Sequence, residues 1–405
     1  MPLITTIIAL SACNRPNDDS GVIEEVDCST RDFSQIPAAT GELEGGWDAE
    51  RARFVFLGGN MGVPVECSYG AADFTAATWA WNADCGDFQA IADGPSARGR
   101  YASAVDTERG LWIVHGGRFR QGTSGNYTLY DEVWGLDLAT DTWSLLASGG
   151  PDARVNHTAE IIDGRFVIYG GNKAASDASF SVLGDLWALD LDTLEWEELR
   201  DDLADSTPND RLFHSSALSA DGATMYVYGG GDENAFVGPF FGDLWALDAA
   251  TWTWSRLHTG RNDAPEGRLV PNLAVDDDRD RIILFGGHDD GELGNTNQVW
   301  AFDLASEAWT ELSAGDVYNT PGEGICDFPA DFTTPDLDSP ERRYSAASAE
   351  TDDGRLVIFG GKTDCGVVND LWTYDFADQS WTEHSSATNG EICLRAFNEC
   401  ESLCF

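Results

Sequence analysis

Residues 170–199 read GGNKAASDASFSVLGDLWALDLDTLEWEEL, and the frame inside this stretch recurs along the 405-residue chain. A glycine pair closes an apolar run. A loop follows, then Trp187, Asp190 three residues later, and Trp196 nine after the first Trp. The Trp pairs are Trp134/Trp143, Trp187/Trp196, Trp245/Trp254, Trp300/Trp309 and Trp372/Trp381, each nine apart, with Asp137, Asp190, Asp248, Asp303 and Asp375 at one offset. A degenerate sixth copy keeps the register with Trp79, Asn82 and Phe88. The glycine pairs begin at Gly58, Gly116, Gly170, Gly229, Gly286 and Gly360. Self-similarity at about fifty residues predicts a repeat architecture.

Each unit predicts four short strands. The second is RFVFLGG, LWIVHGG, RFVIYGG, TMYVYGG, RIILFGG or RLVIFGG, whose apolar runs suit a strand buried on both faces. Glycine ends it where the backbone needs a positive φ or a close neighbour. The third strand is DLWALD and the fourth EWEEL, joined by a D-x-x-T turn in which the Asp caps its own backbone. The first follows a proline, as in PDARVNHTAEI and PNDRLFHSSAL. One such sheet cannot bury both faces alone, but sheets stacked around an axis do.

Hydrophobic run, Gly-Gly and two spaced aromatics per unit resemble the kelch repeat. The resemblance covers residues 42–385. It implies an all-β, six-bladed β-propeller of four-stranded kelch blades. It implies docking or adhesion more often than catalysis.

The chain carries 70 acidic against 24 basic residues, a net charge of −46, and only Lys173 and Lys362 are lysines. That balance argues against nucleic-acid or anionic-membrane binding through bulk electrostatics. Residues 1–12 are expected to be a lipoprotein-type signal peptide, because Leu10-Ser11-Ala12-Cys13 resembles the lipobox of bacterial lipoproteins, with Cys13 lipidated. Residues 13–41 then form a polar tether and 386–405 a Cys-rich tail. Assigning Cys13 to lipid leaves eight cysteines, an even number suited to disulfides outside the cytosol. Cys326 and Cys365 are expected to pair. Cys28, Cys67 and Cys85 at one end and Cys393, Cys400 and Cys404 at the other then require at least one bridge between the ends, stapling the ring.

Strand alternation puts the fourth-to-first and second-to-third connections on one face of the disc. The second-to-third loops vary most, and binding concentrates on variable loops of a rigid scaffold. They hold Arg118, Tyr127, Tyr130, Phe236, Phe240 and Phe241, the first candidates for ligand contact. Between Gly287 and Gly360 lie 72 residues, so an insert is expected near 314–339 on the same face.

Five arginines share one register: Arg98, Arg154, Arg211, Arg268 and Arg343, each three after a proline. One expectation is an electropositive axial mouth that grips carboxylates or acidic sugars. The other is scaffolding, each Arg pairing with an acid or carbonyl of the adjoining blade. His157 and His214 share a register and are expected to be polar plugs rather than metal ligands. Asp276–Asp280 fits a solvated hairpin turn better than a calcium loop. No metal or cofactor is expected. The combined expectation is a monomeric, exported kelch module, lipid-anchored in the periplasm or at the cell surface, that docks a protein or glycan on its loop face. The alternatives are an epimerase-like sugar enzyme using the Arg cluster, or a structural surface protein.

Overall fold

A computed structural model describes residues 27–62, 72–92, 94–173, 181–200, 207–234, 238–261, 263–289, 294–319, 333–363 and 366–388. They contain six antiparallel four-stranded sheets, spanning 45–90, 102–147, 158–200, 215–258, 272–313 and 347–385. These are numbered sheets 1 to 6 in chain order. Among the described residues the one helical element is a 3-10 turn at Asp277–Arg279.

Within each sheet the strands follow chain order from the axis outward. The inner strands are Gly45–Asp48, Ala102–Asp106, Thr158–Ile162, Ser215–Leu218, Asn272–Asp276 and Ala347–Glu350. Each contacts the inner strand of the next sheet, and Ala347–Glu350 returns to Gly45–Asp48, so the ring closes. The second strands are buried along nearly their whole length, as Arg53–Leu57 and Arg355–Phe359 show. Their side chains fill the wedges between sheets: Val55 and Leu57 of sheet 1 pack with Trp112, Val114 and Leu136 of sheet 2. Burying such side chains contributes about 1.5–3 kcal/mol each.

The glycine pair fastens neighbouring sheets. Gly116 and Gly117 have φ of 71° and 97°, and a Cβ on Gly116 would sit 2.6 Å from the Arg154 carbonyl. That carbonyl accepts the Gly117 N–H at 3.0 Å, and the same bond joins Gly59 to Arg98, Gly171 to Arg211, Gly230 to Arg268 and Gly287 to Arg343. The sixth bond runs from Gly361 N–H to Thr40 O at 2.8 Å and joins the last sheet to the chain entering the first. Stacking of Phe56 on Phe359 at 4.2 Å and a 2.6 Å bond from Trp47 Nε1 to Asp352 reinforce that seam. Closure among the described residues is therefore noncovalent.

The D-x-x-T turns form as expected. Asp137 Oδ1 accepts the N–H groups of Ala139 and Thr140, and Asp190 does the same for Asp192 and Thr193. These bonds hold both carboxyls below the usual range. Cys28 and Cys85 form a disulfide that ties the entering segment to the turn between the third and outer strands of sheet 1. The insert pairs Val317–Tyr318 with Thr333–Thr334. Cys13, Cys67, Cys326, Cys365, Cys393, Cys400 and Cys404 lie outside the described residues, and so does the staple expected between the two ends.

Candidate functional site

Arg98, Arg154, Arg211, Arg268 and Arg343 are fully buried. Each is a strut within its own sheet. Arg154 donates to both carboxylate oxygens of Asp185 at 2.7 and 2.8 Å, to Gly170 O at 3.1 Å and to Asp152 O at 3.2 Å. Arg211 and Arg343 likewise donate to both oxygens of Asp243 and Asp370, whereas Arg98 donates to one oxygen of Glu132 and Arg268 to the amide oxygen of Gln298. The acceptor always lies two residues before the first Trp of its repeat and also takes that Trp's indole N–H, at 2.8 Å from Trp187 to Asp185 and 2.9 Å from Trp372 to Asp370.

This arrangement corrects two expectations. No electropositive mouth forms from these arginines, because their guanidinium groups are enclosed and bonded. Nor do the side chains bridge blades: only their backbone carbonyls do, through the Gly N–H bonds described above. The acceptor two before each Trp, an acid in four repeats and Gln298 in the fifth, is a signal present in the sequence (DEVW, GDLW, GDLW, NQVW, NDLW) that the Trp-to-Trp frame obscured.

Two residues after each register position lies another ring. Glu42, Arg100, Asn156, Phe213, Val270 and Ser345 all have left-handed φ, between 44° and 64°. Each N–H donates to the carbonyl of the preceding member, Arg100 to Glu42, Asn156 to Arg100, Phe213 to Asn156, Val270 to Phe213, Ser345 to Val270, and Glu42 back to Ser345. The circle of six bonds encloses the axis at its loop end. Left-handed non-glycine residues cost roughly 1–3 kcal/mol apiece, so the surrounding structure must over-determine them. Their side chains fill that end: Glu42, Asn156, Phe213 and Ser345 are buried, and the Arg100 guanidinium lies 4.9 Å from the Phe213 ring centre.

Above this ring, Glu42 meets three cations. Arg100 lies 3.1 Å away, Arg118 3.2 Å away, and Lys362 bonds the same carboxylate. Burial pushes the Glu42 carboxyl up, but Arg100, Arg118 and Lys362 more than reverse it and hold it well below the usual range. Burial lowers Lys362 to about 8 against the pull of Glu42. Arg118 and Arg120 flank the Tyr127 ring at 3.9 and 4.3 Å, and Tyr127 packs with Phe74 and Ala72. Candidates Arg118 and Tyr127 are thus brought together but buried, and Tyr130 lies against Arg98 at 4.1 Å. Over sheets 4 to 6 the loop face carries a row of rings, Phe240–His288–Tyr344, spaced 6.1 and 5.7 Å. Phe240, Phe241 and Tyr344 are half-buried, and Phe241 lies against Arg211 at 4.8 Å. Phe236 lies outside the described residues.

From the ring towards the opposite face, the inner strands surround a cavity of about 740 Å³. Its mouth is formed by the first-to-second-strand hairpins, including Thr107, Gly164, Gly222 and Thr351. Inside it stand Glu44, Glu160 and Glu350. Burial raises Glu44 to about 8, with Glu160 adding to the effect. Burial raises Glu160 to about 7 against a 2.7 Å bond from Ser216, and Glu350 to about 8 with help from Asp277 and Glu160. His157 and His214 line the closed end; burial drops His214 to about 3 and His157 well below its usual value, so both are neutral. His157 Nε2 lies 2.9 Å from Nδ1 of His115, a contact invisible in the repeat register. Among the described residues no three His, Cys, Asp or Glu side chains converge closely enough to hold a metal ion.

A closed ring of radially ordered four-stranded sheets around an axial cavity defines a β-propeller. The comparisons with known proteins name its family. Residues 70–231 match the Attractin/LZTR1 beta-propeller, 200–326 the KLHDC2/KLHL20/DRC7 Kelch-repeats domain, and 343–386 the Kelch motif. The chain belongs to the kelch-repeat β-propellers. It is 30% identical to Adagio protein 3 of Arabidopsis thaliana over 72% of this chain and 43% of that protein. It is 33% identical to Acyl-CoA-binding domain-containing protein 5 of Arabidopsis thaliana over 44% of this chain and 26% of that one. The chain spans between 25% and 54% of the length of the curated relatives it resembles. The solved structure of YjhT aligns over 86% of this chain and 98% of its own with a TM-score of 0.59 at 16% identity, a likeness of fold.

Proposed function

We propose that this protein is an exported interaction module that holds a protein or glycan partner on its loop face. Kelch propellers are generally protein-interaction modules. The observation that carries the specific proposal is the fate of the register arginines. All five are enclosed and bonded within their own sheets, which removes the cluster on which a sugar-active alternative depended. What the loop face offers instead is the half-buried row Phe240–His288–Tyr344, aromatic surface of the kind that anchors partners. The Cys28–Cys85 disulfide favours an oxidising compartment and therefore export. Lipidation at Cys13 would hold the module at an envelope membrane.

The test is a peptide and glycan array probed with the whole chain, then with Phe240→Ala/Tyr344→Ala and with Leu145→Ala, an exposed residue on the outer strand of sheet 2. Binding weakened at least tenfold by the first change and untouched by the second supports the loop face. Binding indifferent to both overturns it. Mass spectrometry of the protein from its producing cells tests export separately: an acylated Cys13 at the N-terminus is expected, and an unprocessed Met1 recovered from the cytosol contradicts it.

A further inference from the structure

The seam between sheets 6 and 1 is built unlike the other five. At those five the Gly N–H bonds the carbonyl of a register arginine, whose guanidinium braces its own sheet. At the sixth the acceptor is Thr40 O, on the segment entering sheet 1, where no guanidinium strut stands. That segment is a strap. Its outer end is fixed to the rim of sheet 1 by Cys28–Cys85, by Arg31 at 3.7 Å from Asp87, and by Gln35 Oε1, which accepts the Ala90 N–H at 3.2 Å. Pro37 O then accepts from Asn369 Nδ2 of sheet 6 at 2.9 Å, so the strap crosses the seam at residues 35–37.

These contacts are polar or covalent, and the large apolar side chains of the strap stand in solvent. Phe33 is 58% exposed and Ile36 47%. They are two of six large apolar side chains exposed among the described residues, and they lie three apart in the chain beside the crossing point. The side chain that holds the strap also holds the exit of the chain. Asn369 Nδ2 donates to Thr388 Oγ1 at 2.9 Å, and Asn369 Oδ1 accepts the Thr388 N–H at 2.9 Å. Residues 389–405 follow and lie outside the described residues. They read NGEICLRAFNECESLCF, with Ile392, Leu394, Phe397, Leu403 and Phe405 against four charged side chains. Such a segment is too apolar for a solvated linker. It starts beside Pro37, and the four residues from Thr388 to Ile392 span up to about 14 Å. A second copy is a poorer occupant of the strap, because chains of net charge −46 repel one another.

We propose that the tail, residues 389–405, docks back on the strap and buries Phe33 and Ile36 under its own apolar side chains, clasping the seam between sheets 6 and 1. The two ends of the chain then cover each other at the one junction that lacks an arginine strut. Tethering beside its target gives the tail an effective concentration in the millimolar range, so a small apolar contact suffices to hold it.

The experiment places the photo-crosslinking residue p-benzoylphenylalanine at Phe33 in the whole chain and, as a control, at Leu145, which is exposed on the outer strand of sheet 2. Photolysis of mixed heavy and light isotopic chains, followed by proteolysis and mass spectrometry, separates contacts within a chain from contacts between chains. Expected are cross-links from position 33 to peptides of 389–405 within one chain, enriched about tenfold over those from position 145. Cross-links from 33 to residues 1–26, to 63–71 or to a second copy name another occupant and overturn the proposal, as does the absence of any cross-link. The melting temperature is the second readout. Phe33→Ser/Ile36→Ser and Ile392→Ser/Phe397→Ser are each expected to lower it, and all four changes together no further than the larger of the two drops. Additive drops, or no drop from the tail variant, overturn the proposal.

Discussion

The two ends of the propeller axis arise from the same repeat and carry opposite charge. At the loop end one carboxylate, Glu42, is surrounded by Arg100, Arg118 and Lys362 above a sealed ring of backbone bonds. At the hairpin end three carboxyls share an open cavity lined by no Lys or Arg. The repeat fixes what lies between sheets: the second strands, the Gly N–H bonds and the Arg struts. Side chains on the axis take no part in that packing, so each repeat is free to place a different residue there. The two ends can therefore differ in charge and in access although the repeat is shared.

The largest expected effect falls on the closed end. Glu42→Gln leaves three cations facing one another, and breaking a buried ion pair in this way costs about 3–5 kcal/mol in denaturant unfolding. A loss under about 1 kcal/mol would mean that solvent already screens the cluster and that the end is not closed. Arg343→Ala, which leaves the buried Asp370 carboxylate with the Trp372 indole but without its cation, is expected to cost a similar 3–5 kcal/mol. Arg268→Ala abandons a neutral Gln298 and should cost about 1–3 kcal/mol. Equal losses would show that the acid of the strut is immaterial.

Next in size is the bridge beside the hairpin face. Cys28 and Cys85 are separated by 57 residues. Cys85→Ser should lower stability by about 2–4 kcal/mol. An unchanged melting temperature would show that the entering segment is held by its other contacts alone.

The smallest effect is a difference in pH response, and its sign separates the two ends. Glu42 is depressed in the folded protein, so its stabilisation is present above the unfolded carboxyl value and is lost as pH falls through the folded one. Glu44 and Glu160 are raised, to about 8 and about 7, so the folded protein holds more protons than the unfolded chain above the ordinary carboxylate pKa. Their contribution therefore decays as pH rises from about 5 to about 8. Melting temperature against pH should show Glu44→Gln flattening the decline above pH 5 and leaving the acid limb unchanged. A flattened acid limb would contradict the assignment.

Much of this fold was legible because its determinants repeat. The Gly-Gly pairs, the Trp pairs and the Asp of each D-x-x-T turn recur because every sheet meets its neighbour in the same way. The Arg register was equally visible, but its meaning was not: whether a guanidinium faces solvent or an acid depends on Glu132, Asp185, Asp243, Gln298 and Asp370 across the sheet. The axial ring was illegible for a different reason. Glu, Arg, Asn, Phe, Val and Ser occupy its six positions, because a backbone bond and a left-handed φ hold them there and no side-chain type is required. Of the cavity carboxyls, Glu160 and Glu350 lie at different positions on the inner strands of sheets 3 and 6 and Glu44 just before that of sheet 1, so no spacing in the chain connects them.

The most direct test of the division between the ends is hydrogen–deuterium exchange of the whole chain with and without the partner identified on the array. Docking on the loop face predicts slowed exchange in residues 238–243, 286–289 and 343–345, with the hairpins at 106–109, 163–164 and 219–222 unaffected. Protection confined to those hairpins would place the partner on the opposite face and contradict the account.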